Sequence, residues 1–316
     1  MGSYARRVVD GELDALMPAV AAISLDGAKG VGKTATAAQR AVSVYRMDAP
    51  NDRAVVAADP GAALRRTAPV LIDEWQMLPD TWNAVRRAVD DGAAPGAFLL
   101  TGSAAPASAP SLHAGSGRIL SLRMRPMTLT ERGVTNPTVS LAALLRGGSP
   151  VSGACGMRLA DYVEEIDRSG FPGLRGLPER ARRAQLDSYL TRALSVELAE
   201  QGVHLRRPAS LRGWLEAYAA AVSTTASFNA IQRGATPGDA DPPTKVTTIR
   251  YRDWLTQLWL LDPVPAWTPT GLPLGDLGQA PKHQLADPAL VARLLRATSS
   301  MLLRGEGTVL QPQHGP

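Results

Sequence analysis

The chain has 316 residues, 45% of them hydrophobic and 20% charged, which excludes a wholly disordered or fibrous protein and fits about two ordinary domains. Only 5% of residues are aromatic, while Gly 29 and Pro 25 are abundant, so the cores must rest on Ala, Val and Leu, with many loops between. The formal charge of +5 permits a polyanionic partner without demanding one. Cys155 is the only cysteine and cannot form an internal disulfide; there is no long apolar span and no charged-then-apolar leader. These features lead to the expectation of a cytoplasmic protein with no membrane partner.

Residues 19–34 read AVAAISLDGAKGVGKT: an apolar run, a glycine-rich turn, then a helix-compatible stretch. Strand, loop and helix in that order are what a phosphate-cradling loop needs. Gly27 and Gly32 allow the tight turn and the close approach of an anion, and the intervening Gly30 helps the loop curl. The loop residues Gly27, Ala28, Lys29, Gly30, Val31, Gly32, Lys33, Thr34 and Ala35 are therefore candidate nucleotide contacts. Lys33 is expected to reach the β and γ phosphates and Thr34 to offer its hydroxyl to Mg²⁺. Lys33 is one of only four lysines, with Lys29, Lys245 and Lys282, in a chain whose positive charge is otherwise arginine. Lys29 is either a solvated loop residue or an additional phosphate contact. Ala35, Ala38 and Val42 follow at helical spacing.

Residues 69–76, PVLIDEWQ, give a near-continuous apolar strand of the kind buried on both faces of a parallel sheet, ending in two acids. Asp73 is placed to hold Mg²⁺, and Glu74 to orient or deprotonate the water that attacks the γ phosphate. Gln76 is either a reader of nucleotide state or a plain loop residue. Asp80 is a candidate cap for a helix carrying Trp82, Val85 and Val89 on one face and ending at Gly92. Trp75 and Trp82 are expected to pack.

GAFLLTGS at 96–103 is a further buried strand, and Thr101 or Ser103 at its end would face the same crevice as Asp73. Ser103 is taken as a catalytic candidate near the γ phosphate. A loop through residue 117, with His113 as an ordinary loop histidine, leads to a strand over Ile119, Leu120 and Leu122. Arg118 at the junction is a candidate to neutralise charge during phosphoryl transfer, in its own subunit or a neighbour's; Arg125 is a weaker one. No NKxD stretch follows the sheet residues, which favours ATP over GTP. The adjacent acids favour attack by water over transfer to a small-molecule acceptor, leaving a P-loop kinase as the less favoured reading.

Gly, Pro and Ser interrupt the pattern over 133–155. Beyond it, helical faces recur: Leu159, Tyr162, Val163 and Ile166; then Leu186, Tyr189, Leu190, Ala193 and Leu194; then Leu211, Trp214, Leu215 and Tyr218, with Ser210 as a candidate cap. After a loop at TPGDADPP, KVTTIRYRDWLTQLWLLD reads as a helix and PVPAW as an extended edge. This order has room for a winged-helix-like part in which Lys245, Arg250 and Arg252 would meet DNA phosphates, although packing among protein elements is favoured. Asp287 and Pro288 begin a short helix.

Several segments together resemble the bacterial AAA-type ATP-binding proteins whose P-loop domain precedes a domain of unknown function numbered 4143: YARRVVDGELD, GAKGVGKT, PVLIDEWQ, VRRAVD, FLLTGS, GSGRI, RMRPMTLTE, DRSGFPGL and PKHQLADPAL. The resemblance implies an ATPase core with Lys33 and Thr34 on phosphate and Mg²⁺, Asp73 and Glu74 as the acidic pair, and Ser103 near the sensor position. It also implies a nuclease-like extension whose acidic and lysine signature is not found after residue 304. The expected architecture is an α/β P-loop NTPase domain over 1–135 with a mostly parallel sheet flanked by helices. A mainly helical domain over 155–304 and a loose tail over 305–316 would follow. The expected activity is Mg²⁺-dependent ATP hydrolysis coupled to a conformational switch, with a homo-oligomer or protein client as partner. The alternative is a non-catalytic nucleotide-sensing or DNA-binding module.

Overall fold

The structure is a computed structural model that describes residues 4–103, 117–147, 151–235, 243–266 and 280–305. His113, most of the TPGDADPP loop and the tail from 306 lie outside the described residues.

Five parallel strands form one sheet: β1 (Ala22–Asp26), β2 (Ser43–Arg46), β3 (Val70–Asp73), β4 (Phe98–Gly102) and β5 (Ile119–Arg123), in the order β2-β3-β4-β1-β5. The three central strands are the apolar ones because both of their faces are covered. Alternate residues leave to opposite sides. Ile23, Leu25, Leu71 and Leu99 pack with Leu13 and Ala37 on one face. Ala22, Val70, Ile72, Phe98 and Leu100 pack with Trp75, Trp82 and Val85 on the other. The two tryptophans stack at a centroid separation of 4.6 Å, so they pack as expected.

Register aligns the strand ends that matter. Asp73 lies beside Thr101, and Asp26 beside both Gly102 and Arg123, so β1, β3, β4 and β5 all open onto one edge of the sheet.

The helical half includes Leu159–Arg168, Glu179–Arg192 continued by a π-helical turn at Ala193–Glu197, Pro208–Ala220, Phe228–Gly234, Lys245–Gln257, Pro288–Leu294 and Ser299–Leu303. Antiparallel bridges Leu261↔Leu285 and Val264↔Lys282 follow the helix Lys245–Gln257, so a short extended pair comes after it. The core of this half, around Leu186, Leu190, Trp214, Tyr218 and Leu255, also takes in Ala28 and Val31 of the glycine loop and Met124 after β5. The loop is thus held from behind by the helical half.

Three local expectations change. The helix after the loop is only Lys33–Ala38; Val42 is exposed, and its amide donates to the Pro69 carbonyl at 2.9 Å. The chain turns there because β2 must begin at Ser43 to pair with β3. Asp80 is the first residue of its helix, with Pro79 at the cap position. Ser210 lies inside Pro208–Ala220, where Pro208 occupies the first turn, the position its missing amide suits.

Candidate functional site

The glycine loop leaves the end of β1 and closes on the helix Lys33–Ala38. A Cβ at Gly27 would lie 2.1 Å from the Met124 carbonyl oxygen, so only glycine lets β1 pass the end of β5 there. Gly32 caps the helix in the left-handed region at φ 103°. Because that helix is one and a half turns long, an anion would depend on the loop amides and Lys33 more than on a long helix dipole.

Lys33 is 5% exposed, and its Nζ donates to the carbonyls of Gly27 at 2.8 Å and Ala28 at 3.0 Å. Burial pushes its ammonium down to about 8, against the charges of Glu74, Asp26 and Asp73, which pull it up. Asp26, at the end of β1, is itself pushed up by burial. The ammonium dominates below about pH 8, so a polyanion that needs it should bind fully there, and its affinity should fall by about tenfold per pH unit above. An unfolded Lys33 keeps its proton to its ordinary range, so between about 8 and that range this group's contribution to fold stability rises with pH. Titrating nucleotide affinity and thermal unfolding from pH 7 to 10 should show these opposite trends.

The acidic strand end meets the loop directly. The Thr34 hydroxyl donates to Asp73 Oδ1 at 2.6 Å, across 39 residues of chain. The Thr101 hydroxyl donates to the same oxygen, and the Glu74 amide donates to Thr101 Oγ1 at 3.3 Å. Asp73 is 5% exposed. Glu74 turns its backbone at φ 54°, a conformation disfavoured for a residue with a Cβ. Its Oε2 accepts from Gln76 and from the Ser103 hydroxyl at 3.2 Å, while Gln76 Nε2 also donates to Ser103 Oγ at 3.2 Å.

The residues present fit a Mg²⁺ ion. Thr34 and Asp73 set a hydroxyl and a carboxylate, both hard oxygen donors, against each other. No group of three or more His, Cys, Asp or Glu that would make a dedicated protein cage occurs among the described residues. Mg²⁺ commonly takes one or two such protein ligands and completes its shell with phosphate and water.

Of the candidates, Lys33, Thr34, Asp73, Glu74 and Ser103 come together. Ala28 and Val31 turn their side chains into the helical core, leaving only their backbone to the loop. Ala35 lies exposed in the first turn of the short helix. Lys29 is half-exposed, with its Nζ 3.9 Å from Glu197. Arg118 does not join its own subunit's site. It precedes β5 at the opposite end of the parallel sheet, five strand residues or about 16 Å from the edge where Arg123 lies, and its Nε pairs with Asp90 at 2.9 Å. Arg125 is taken by Asp262 at 2.6 Å, and Arg123 by the same carboxylate at 2.9 Å. These pairs tie the end of β5 to the helical half. Arg252 lies on the Phe228 ring at 4.9 Å, so it is a packing group more than a free cation.

Sequence reasoning missed Arg7. It is buried, donates to the Val31 carbonyl at 2.7 Å and the Arg125 carbonyl at 2.8 Å, and pairs with Glu131 at 3.1 Å. Nothing in YARRVV distinguishes it, because its partners lie 24 and more residues away. Missed as well were Glu197, Glu200 and Gln201, which supply the far wall of a cavity of about 310 Å³ over Glu74, Gln76 and Ser103.

Residues 20–132 match the AAA domain family model, and residues 159–301 match a domain of unknown function, DUF8612. The expected identity of the second half with the domain numbered 4143 is therefore not the one found. No curated protein matches the chain. Among solved structures, a Walker-type ATPase of Pyrococcus abyssi aligns over 92% of this chain and 96% of its own at 14% identity and a TM-score of 0.49. No helix among the described residues is long and apolar enough to cross a membrane. With a parallel sheet whose glycine loop and acidic strand end meet at Thr34 and Asp73, the chain has the P-loop α/β fold, and over residues 20–132 it is similar to AAA domains.

Proposed function

We propose that the protein binds and hydrolyses ATP with Mg²⁺, and that turnover switches the position of its helical half relative to the glycine loop. The single observation that carries this reading is the hydrogen bond between Thr34 and Asp73, which joins the phosphate-loop hydroxyl to the acidic strand end. Thr34 and Asp73 would hold Mg²⁺, which when bound neutralises charge on the β and γ phosphates. Lys33 exchanges its carbonyl partners on Gly27 and Ala28 for phosphate oxygens. Glu74 accepts the proton of a water whose oxygen attacks the γ phosphorus, while the bond from that phosphorus to the β–γ bridging oxygen breaks and ADP leaves. Gln76 and Ser103 hold the Glu74 carboxylate for that task.

The backbone of Glu74 favours this over a purely nucleotide-sensing module. A left-handed carboxylate residue beside Asp73 costs about 1 kcal/mol or more and is of no use to binding alone. The coupling to the helical half rests on Ala28 and Val31, whose side chains belong to that half's core, so a shift of the loop is felt there. Phosphate release from ATP tests the reading: Asp73→Ala should reduce Mg²⁺-dependent release by about 100-fold or more, and release at the parent rate would end it.

A further inference from the structure

Resting on the phosphate reading above, we propose that the cavity beside Gly30 takes the adenine base of the bound nucleotide and that Gln185 reads the base edge. The cavity, about 440 Å³, lies between the glycine loop and the helix Glu179–Arg192. Its volume is in the range of small-molecule sites. Phe171, Leu174, Leu177 and Tyr189 form its apolar walls; Gln185 and Ser188 are its uncharged polar groups, and the charged Arg192 also lines it. Lys29 and Glu197 line this cavity and also the one that contains Glu74 and Ser103, so the two spaces adjoin at the tip of the loop. One side of the loop is thus the more polar and holds Glu74, while the other is mainly apolar, with an aromatic wall. A nucleoside triphosphate has the same division along its length.

The aromatic wall is preset. Phe171 is 3% exposed, and the Gly170 amide before it donates to the buried Asp287 carboxylate at 2.7 Å. The Phe171 and Tyr189 rings lie 5.1 Å apart at 44°, and Phe171 Cδ1 is 3.8 Å from where a Cβ on Gly30 would sit. A flat base entering here therefore meets the partly exposed Tyr189 ring, which the buried Phe171 ring holds in place, with no side chain on Gly30 to narrow the passage. Gln185, Ser188 and Tyr189 are spaced to share one face of their helix. A carboxamide pairs with adenine, donating to N7 and accepting from the N6 amine; guanine offers two acceptors there, O6 and N7, and leaves the carboxamide oxygen without a donor. The same cavity therefore prefers ATP to GTP.

The test is direct binding of ATP, GTP and inorganic tripolyphosphate to the full chain with Mg²⁺. The parent should bind ATP about 10- to 100-fold more tightly than tripolyphosphate, the usual yield of stacking a base on aromatic rings. Ser188→Trp, a substitution at an exposed helix position that fills the cavity, should erase that difference and leave tripolyphosphate affinity unchanged. Gln185→Leu should narrow the ATP-to-GTP ratio by about tenfold. Parent-like ATP binding by Ser188→Trp, or equal parent affinities for ATP and tripolyphosphate, would overturn the proposal. So would tripolyphosphate binding lost alongside ATP in Ser188→Trp, and an unchanged ratio in Gln185→Leu removes the edge-reading role. Failure of the underlying phosphate reading looks different: tripolyphosphate affinity would then be indifferent to Lys33→Ala.

Discussion

Glu74→Gln is expected to bind ATP with parent affinity and to release phosphate at least about 100-fold more slowly, the ordinary contribution of a positioned general base. The amide keeps the shape of the carboxylate and a carbonyl oxygen that can accept from Ser103, so the crevice should hold its geometry. It cannot take a proton from water. Single-turnover phosphate release and equilibrium nucleotide binding separate the two properties, and parent-rate release would remove Glu74 from the chemistry. A companion substitution reads the backbone. Glu74→Gly should raise thermal stability by about 1 kcal/mol, since glycine adopts φ 54° freely, while losing turnover as Glu74→Gln does. Loss of stability instead would mean that the bonds from Gln76 and Ser103 outweigh the strain.

Lys33→Ala is expected to weaken triphosphate binding by about two orders of magnitude or more, as removing one partner of a buried, hydrogen-bonded charge pair commonly does. The side chain has no substitute within the loop: Lys29 points to Glu197, and Arg7 is committed to the Val31 and Arg125 carbonyls. Isothermal titration with ATP checks the affinity, and thermal unfolding of the same variant checks that the loop still folds. Retained affinity in a folded variant would take Lys33 out of the phosphate site. This effect and that of Glu74→Gln belong to different steps, so the double substitution should bind like Lys33→Ala alone.

The helical half bears on both experiments because it is not a detached body. Ala28 and Val31 lie in its core, Arg123 and Arg125 hold Asp262, and Glu197 faces Lys29. Residues on either side of the glycine loop therefore respond to substitutions on the other.

The central strands and the polar residues grouped at their ends were legible from local pattern. A strand buried on both faces has to be apolar throughout, so β1, β3 and β4 announce themselves, and the spacing of Gly27, Gly32, Lys33 and Thr34 has few uses besides an anion. The edge strand β2 escaped notice because its burial alternates over four residues and its existence depends on pairing with β3 some 27 residues later. The same dependence cut the loop helix short at Ala38.

Arg118 shows the limit most clearly. Along the chain it is a basic residue next to a glycine-rich loop, and only the parallel direction of β5 puts it at the far end of the sheet from Asp73. Arg7, Glu197 and the apolar cavity beside Gly30 were hidden for the same reason, since each is made by groups far apart in sequence. Residue type and near-neighbour spacing set the glycine turn, the apolar strands and the candidate phosphate-binding side chains beside them, because backbone geometry over a few residues is local. Which of them share a site, and what closes over it, depended on strand direction, register and the docking of distant helices, whose energies come from contacts that no short stretch of sequence contains.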